Sequence, residues 1–360
     1  MQTRHAISGK PVFERMTRFW GQIYVINYAL GVFTGLVMEF QFGLSWSGLT
    51  HFAGAVFGAP LAIETLVAFF LESTFLGLWI FGWNRLPKKA HLACIWLVTL
   101  TAYASAFWIM VANSFLQHPA GTVRQGDHLA LVDFGALLAN PSLVMAFPHV
   151  IGAGLFAGSF VVIGGSAYQL FRRTPEQEFF RRSLRTGVVW AFIGTTLAVG
   201  FGYAQFGFVA GIQPGKFDGA VAGPALGTMI TIGQLVQFFV MLVLLPLLFR
   251  NLLARFRWVH PLLMIMTPLP FLAAITGWLA REAGRQPWLV YGELSVADAM
   301  SPGLTKGMVT FSLFAFAGVL GLLAVVDYLL IARTVRRGPT RVDLGAAEPA
   351  EPAPASALVL

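Results

Sequence analysis

Carboxylates inside a bilayer-length apolar run are costly, and this sequence has two, Glu64 and Glu72, in GAPLAIETLVAFFLESTFLGLW. Ionisable side chains in such a place mark ion, proton or cofactor paths by default. At about 100° per residue, their separation leaves them about 80° apart around a helix and ~12 Å apart along it. They can line one path without touching. The other reading is that each is neutral and hydrogen-bonded to a neighbouring helix. Glu39, in GLVMEFQFG, sits at the end of the first apolar run. It is either functional or an interfacial carboxylate facing water.

His149 lies in VMAFPHVIGAGLFAG. A lone histidine on an apolar helix is ordinarily a hydrogen-bonded core residue. Here Gly152, Ala153, Gly154, Ala157 and Gly158 leave a flat groove beside it, where a second helix or a planar macrocycle can approach. Haem iron accepts His on one side and Met on the other in cytochrome-type sites. A Met partner must come from another run. Met229, in ALGTMITIG, is one candidate among 11 methionines, and Met is also common core filler. The remaining histidines flank runs or lie in loops. No H-x-x-x-H, H-E-x-x-H or P-loop spacing occurs, which leaves zinc hydrolysis and P-loop nucleotide chemistry without support. Cys94 is the only cysteine, so an internal disulfide, a Cys-ligated iron–sulfur cluster and a C-x-x-C-H haem attachment are excluded. The stretch GWLAREAGRQPW puts Arg281, Glu282 and Arg285 where an apolar run ends. By itself it reads as a water-facing helix end.

The elements that position these residues follow from composition. The 360 residues are 57% hydrophobic and only 11% charged, with a mean hydropathy of +0.71. Soluble domains carry about 25% charged residues. Eight continuous runs reach the ~20 residues a spanning helix needs: roughly 20–42, 54–82, 91–117, 142–170, 186–210, 224–249, 260–280 and 307–333. The expected fold is an all-α polytopic membrane protein of about eight transmembrane helices. Arg and Lys concentrate before the first run, in every second connection and after the last run, the positive-inside pattern. It places both termini in the cytoplasm and explains the net charge of +8 without a nucleic-acid partner. Residues 1–337 read as one membrane domain, and 338–360, rich in Ala and Pro, as a disordered cytoplasmic tail. Trp20, Trp46, Trp83, Trp258 and Trp288 fall near run ends, as an interfacial belt would place them. Trp108 and Trp278 lie inside runs, suited to packing on a cofactor or another helix.

Several stretches in order resemble subunit I of the cytochrome bd-type quinol oxidases: MTRFWGQIYVINYALGVFTGLVMEFQFG, FGAPLAIETLVAFFLESTFLGLWIFGW, FWIMVANSFLQHPAG and GWLAREAGRQPW. The resemblance implies roles position by position. His149 and Met229 match the ligands of a low-spin haem b. Glu282 matches the ligand of a high-spin haem b, with Trp278 beside it. Arg285 matches a cation able to pair with haem propionates or an anionic intermediate. Glu64 and Glu72 match a pair linked to proton delivery, and Lys216 a lysine of the quinol-binding loop. The family also carries a haem d whose histidine ligand sits on a helix before the loop with which this sequence begins. His5 lies in that loop and is not its equivalent, so a truncated gene start is expected. Two further departures stand out. Val221 occupies the place of a loop glutamate, and Gly227 that of an arginine two residues before the Met ligand.

The resemblance implies an enzyme subunit in the bacterial inner membrane. It would pass electrons from quinol through b haems to a haem d that reduces oxygen to water. It implies a second large subunit and a single-helix small one as partners. Two other readings are weighed beside it: a haem b electron carrier or assembly partner lacking the oxygen site, and a proton-coupled transporter using Glu64 and Glu72.

Overall fold

The computed structural model describes residues 1–249 and 252–345, apart from the side chains of Glu39 and Phe42. The expectations for Glu39 and for residues 346–360 therefore lie outside the described residues. Among the described residues, eight helices are long and apolar enough to cross a membrane. We label them α1 (Pro11–Leu44), α2 (Ser47–Phe81), α3 (Lys88–Gln117), α4 (Pro141–Phe171), α5 (Gln177–Ala204), α6 (Ala222–Leu247), α7 (Val259–Ala283) and α8 (Lys306–Arg337). This is the all-α polytopic membrane fold expected from the apolar runs.

Local chemistry starts these helices where they start. Pro11 and Pro141 hold first-turn positions, where the missing N–H costs nothing. The Asn140 side chain accepts from the Ser142 N–H at 3.0 Å, and Thr305 Oγ1 accepts from the Met308 N–H at 3.2 Å. Short antiparallel hairpins, Thr122–Gln125 with His128–Leu131 and Trp288–Val290 with Leu294–Ser295, occupy two of the connections.

α4 and α5 pack antiparallel along their length. Glycines make this possible. A Cβ on Gly152 would come within 2.5 Å of the Ala198 backbone nitrogen, and one on Gly194 within 2.6 Å of the Phe156 nitrogen. α6 packs on the second half of α7, and the first half of α7 packs on α4. At the arginine-rich end a core of Met16, Phe19, Phe160, Phe180 and Leu263 ties α1, α4, α5 and α7 together. At the opposite end Phe52, Val56, Phe115, Leu143 and Val290 join α2, α3 and α4 to the second hairpin. α8 is anchored through its last turns, where Gln169 donates to the Val335 carbonyl and Val335 lies beside Gly165 and Trp20.

Three expectations need correction. Trp20, assigned to an interfacial belt, is buried and donates to Ser183 Oγ at 2.9 Å. His91 and His260, read as flanking residues in loops, are buried helix residues whose Nε2–H groups donate to the Trp79 and Leu253 carbonyls. The tail is not free from residue 338: Leu344 is buried, the Asp343 N–H donates to Gln22 Oε1 at 2.9 Å, and Arg18 donates to the Gly345 carbonyl.

Candidate functional site

A cavity of about 340 Å³ opens between α4, α5, α6 and α7. Its wall is almost wholly apolar. Both His149 on α4 and Met229 on α6 line it, as do Trp278 and Arg281 on α7 and Lys216 from the α5–α6 connection. His149 Nδ1 lies 2.7 Å from the Ala198 carbonyl oxygen. A carbonyl only accepts, so Nδ1 carries the proton and Nε2 keeps its lone pair. Nε2 has no hydrogen-bond partner among the described residues. Gly202 lets the ring lie against α5, since a Cβ there would sit 3.1 Å from Nδ1. Met229 Sδ nestles against Gly277, where a Cβ would stand 2.5 Å away. The glycine groove on α4 divides between two uses. Gly152 admits α5, whereas Ala153, Gly154 and Ala157 line the cavity.

Glu282 and Arg285 form a second centre beside the cavity, at the end of α7. Arg285 Nη2 lies 2.6 Å from Glu282 Oε2, and Glu282 Oε1 accepts from Asn113 Nδ2 at 3.0 Å and Gln117 Nε2 at 3.5 Å. Asn113 also accepts from Arg281 Nε at 2.7 Å, and Arg281 reaches Ser142 Oγ at 3.1 Å. Arg285 is buried, yet its Nε and Nη1 have no partner. Buried donors left open cost free energy unless an acceptor arrives, so this cation has room for an anionic group. Burial pushes the Arg285 guanidinium below its usual range, against the pull of Glu282. No cluster of three or more His, Cys, Asp or Glu side chains able to hold a bare metal ion occurs among the described residues. One or two axial ligands to a macrocycle are the chemistry this donor set suits.

Lys216 is buried, with Nζ donating to Gln117 Oε1 at 2.6 Å and to Gln213 Oε1. Burial, then Arg281, pull the amine down to about 7, with Glu282 opposing and Arg285 adding to the fall. A hydrogen-bonded chain therefore runs Lys216–Gln117–Glu282–Arg285, linking the cavity to the second centre.

Glu64 and Glu72 are both buried on α2. Ser105 Oγ donates to Glu64 Oε1 at 2.5 Å and Thr65 Oγ1 to Oε2 at 3.1 Å. The regular-helix separation of about 80° does not hold, because Glu64–Phe69 is a π-helical turn. A π-turn inserts one residue, so the phase shifts by about 100° and the two carboxylates come to about 20° of one another. Trp108 stays away from the cavity and packs on Phe107.

The sequence reading missed Asn113, Gln117, Gln213 and Ser105. All are uncharged and polar, and the first two sit four residues apart inside an apolar run. Such a pair on one helix face was the available signal.

Comparisons with known proteins place the chain in a family. A family model described as cytochrome bd terminal oxidase subunit I matches residues 1–223 and 224–339. The chain is 34% identical to cytochrome bd ubiquinol oxidase subunit 1 of Bacillus subtilis (strain 168), over 94% of this chain and 87% of that one. It is 29% identical to cytochrome bd-II ubiquinol oxidase subunit 1 of Escherichia coli (strain K12), over 95% and 91%. Its fold superposes on the bd oxidase structure from Geobacillus thermodenitrificans with a TM-score of 0.86, at 24% identity and covering 94% of this chain and 91% of that one. The matched residues take in every residue of both centres and of the α2 pair, and the chain belongs to the cytochrome bd terminal oxidase subunit I family.

Proposed function

We propose that this chain is the haem-bearing subunit of a quinol:oxygen oxidoreductase in a bacterial inner membrane. The observation that carries the reading is the His149 ring. Its Nδ1 is committed to the Ala198 carbonyl, and its Nε2 is unpartnered beside a cavity that Met229 also lines. That is how a protein fixes the tautomer and orientation of a histidine that would hold a metal through its other ring nitrogen. His149 and Met229 would hold a low-spin haem b, with Trp278 in the same wall. Glu282 would hold a high-spin haem b. Its oxygens already accept from Asn113, Gln117 and Arg285, and a carboxylate with about four lone-pair sites has one left for iron. Arg285, with two open donors, would neutralise propionates. When bound, the haems, including a haem d at the oxygen site, supply one-electron transfer and oxygen reduction to water.

The chain's own residues do the rest. The apolar cavity wall keeps water away. Glu72 and Glu64, rephased to one side of α2, hold and relay protons toward the buried centre, with Ser105 orienting Glu64. Lys216 is held by two glutamines, which supports a positioning role for the α5–α6 connection and weakens direct quinol contact. Partners in this reading are a second large subunit, a single-helix small subunit, quinol and molecular oxygen.

The test uses the complex with its partner subunit. Reduced-minus-oxidised spectra of the wild type are expected to contain b-type bands, and His149→Ala to lose the low-spin band while keeping the others. A wild-type complex with no haem bands, or a His149→Ala spectrum identical to wild type, overturns the assignment. Quinol-dependent oxygen uptake completes it: b bands without uptake favour the electron-carrier reading.

A further inference from the structure

α7 turns Ala274, Gly277, Trp278 and Arg281 to the His149–Met229 cavity, at the i, i+3, i+4, i+7 spacing of one helix face. Arg281 is the one charged residue that α7 contributes to the wall. Glu282, one residue on, accepts instead from Asn113 and Gln117 of α3. Asn113 stands between the two charges. Its oxygen accepts from Arg281 Nε at 2.7 Å, and its nitrogen donates to Glu282 Oε1 at 3.0 Å. Adjacent charges on α7 thus address two different centres.

Arg281 is poorly compensated where it stands. Both of its partners, Asn113 Oδ1 and Ser142 Oγ, are neutral. Its Nη1 has no partner and the side chain forms no ion pair among the described residues, whereas Arg285 pairs with Glu282. A cation at an apolar wall without a counter-charge is costly. The surroundings supply none. No Asp or Glu lines the cavity. α4 and α6 contain no Asp, Glu, Lys or Arg at all, and Gly227 leaves α6 bare two residues before Met229. Lys216, the other basic group in the wall, is taken up by Gln117 and Gln213, and burial, more than Arg281 beside it, holds its amine down to about 7. A guanidinium does not lose its proton in proteins. Arg281 is therefore the permanent positive charge of the cavity, and its open side calls for an anion inside it.

We propose that Arg281 pairs with a carboxylate of the macrocycle held between His149 and Met229, and raises the potential at which that group takes its electron. The assignment rests on the haem reading of the cavity. A propionate is the anion such a group brings with it, and a guanidinium binds a carboxylate through parallel N–H donors. Nη1 is open for it, and Nη2 is engaged only by a neutral hydroxyl. Reduction adds one negative charge beside a fixed positive one, so the cation favours the reduced state. The apolar wall strengthens the effect, because little water is there to screen it. Arg285 does not line the cavity and serves the Glu282 centre.

The experiment takes the intact complex with its partner subunit and titrates the low-spin and high-spin b bands spectroelectrochemically. Arg281→Gln is expected to keep the low-spin band and lower its midpoint. At the wild-type midpoint the reduced-to-oxidised ratio should fall about tenfold, which is ~59 mV for one electron. Ser142→Ala removes a neutral partner without touching the charge and should leave the midpoint in place. An unchanged low-spin midpoint in Arg281→Gln overturns the proposal, and so does an equal shift in Ser142→Ala. A shift confined to the high-spin band also overturns it, since Arg281 would then act only by holding Asn113 against Glu282. If Arg281→Gln does not assemble, Arg281→Lys is read instead. A lysine in a dry site sheds its proton as pH rises, so the low-spin midpoint of this variant should fall with pH more steeply than that of the wild type. Parallel pH profiles overturn the proposal. A wild-type complex without a low-spin band removes the haem reading itself, whereas a wild-type band that the variants do not move removes this assignment alone.

Discussion

His149 can ligate only through Nε2, since Nδ1 is occupied as a donor to the Ala198 carbonyl at 2.7 Å. This makes Gly202 the residue that sets the ring's tilt. A Cβ there would press on Nδ1 and Cε1 at 3.1 and 3.2 Å. Gly202→Val is therefore expected to lower occupancy of the His149 site by tenfold or more, on the order of what loss of an orienting contact costs. Haem-to-protein stoichiometry checks it, and unchanged stoichiometry would mean the ring does not need its seat on α5. Lys216 gives a pH prediction. Its folded-state value of about 7 lies below the ordinary 10.5, so the unfolded or opened loop binds more protons between these limits. The connection should thus grow more stable as pH rises from about 7 to about 10 and show no Lys216 dependence below that window. Hydrogen exchange of residues 213–221 measures this, and Lys216→Met should flatten the profile. At this scale the sequence marked Glu64, Glu72 and His149 on their own, because an ionisable group inside an apolar run is conspicuous, whereas Met229, Glu282, Arg285 and Lys216 take their proposed roles from the family resemblance. It did not find Asn113 or Gln117, whose roles depend on which neighbours α7 delivers to them.

At the scale of the helix, the π-turn Glu64–Phe69 decides what α2 can do. A deletion inside it should convert the turn to regular α-helix without moving the flanking segments relative to one another, because the π-turn is an α-turn with one residue added. Removing Val67 is expected to leave Glu64 and Glu72 on one side and oxygen uptake near wild type. Removing Leu71, which lies in the regular part of the helix, swings Glu72 by about 100° and should cut uptake by about 10²-fold, the scale of a misplaced proton donor. If the two deletions damage uptake equally, alignment of the pair is not what matters. Apolar runs and their flanking charges made the eight helices legible in advance. A switch from i+4 to i+5 hydrogen bonding has no compositional mark, so the phase of Glu72 could not be read. The α4–α5 crossing was half legible. The small residues announced a close approach, and only the packed structure assigns Gly152 to the neighbouring helix and Gly154 to the cavity.

Across the whole molecule, both ends of the described chain close on one aromatic cluster. Gln2 Oε1 accepts from Trp79 Nε1 at 2.8 Å, and Gln2 Nε2 meets His91 Nδ1 at 3.0 Å. From the other end, Leu344 packs into the cluster holding Trp79 and Trp83, while Arg18, stacked 4.3 Å over the Trp83 ring, donates to the Gly345 carbonyl. An even number of crossings puts the two ends on one side of the bundle, and these contacts join them through α2 and α3. Composition suggested a tail hanging free from Gly338, because Ala- and Pro-rich segments lack a period. A single leucine with two main-chain acceptors is enough to hold such a segment when a tryptophan pair lies beside it. Ending the chain after Arg337 should therefore uncover Trp79 and Trp83 and cost about 1.5–3 kcal/mol, the value of one buried leucine. Ending it after Gly345 keeps these contacts and is the comparison chain. Thermal unfolding of the purified complex, followed by tryptophan emission, separates the two, with a lower midpoint and a red-shifted spectrum expected only for the shorter chain. Matching midpoints would mean that the cluster is stable without its C-terminal cover.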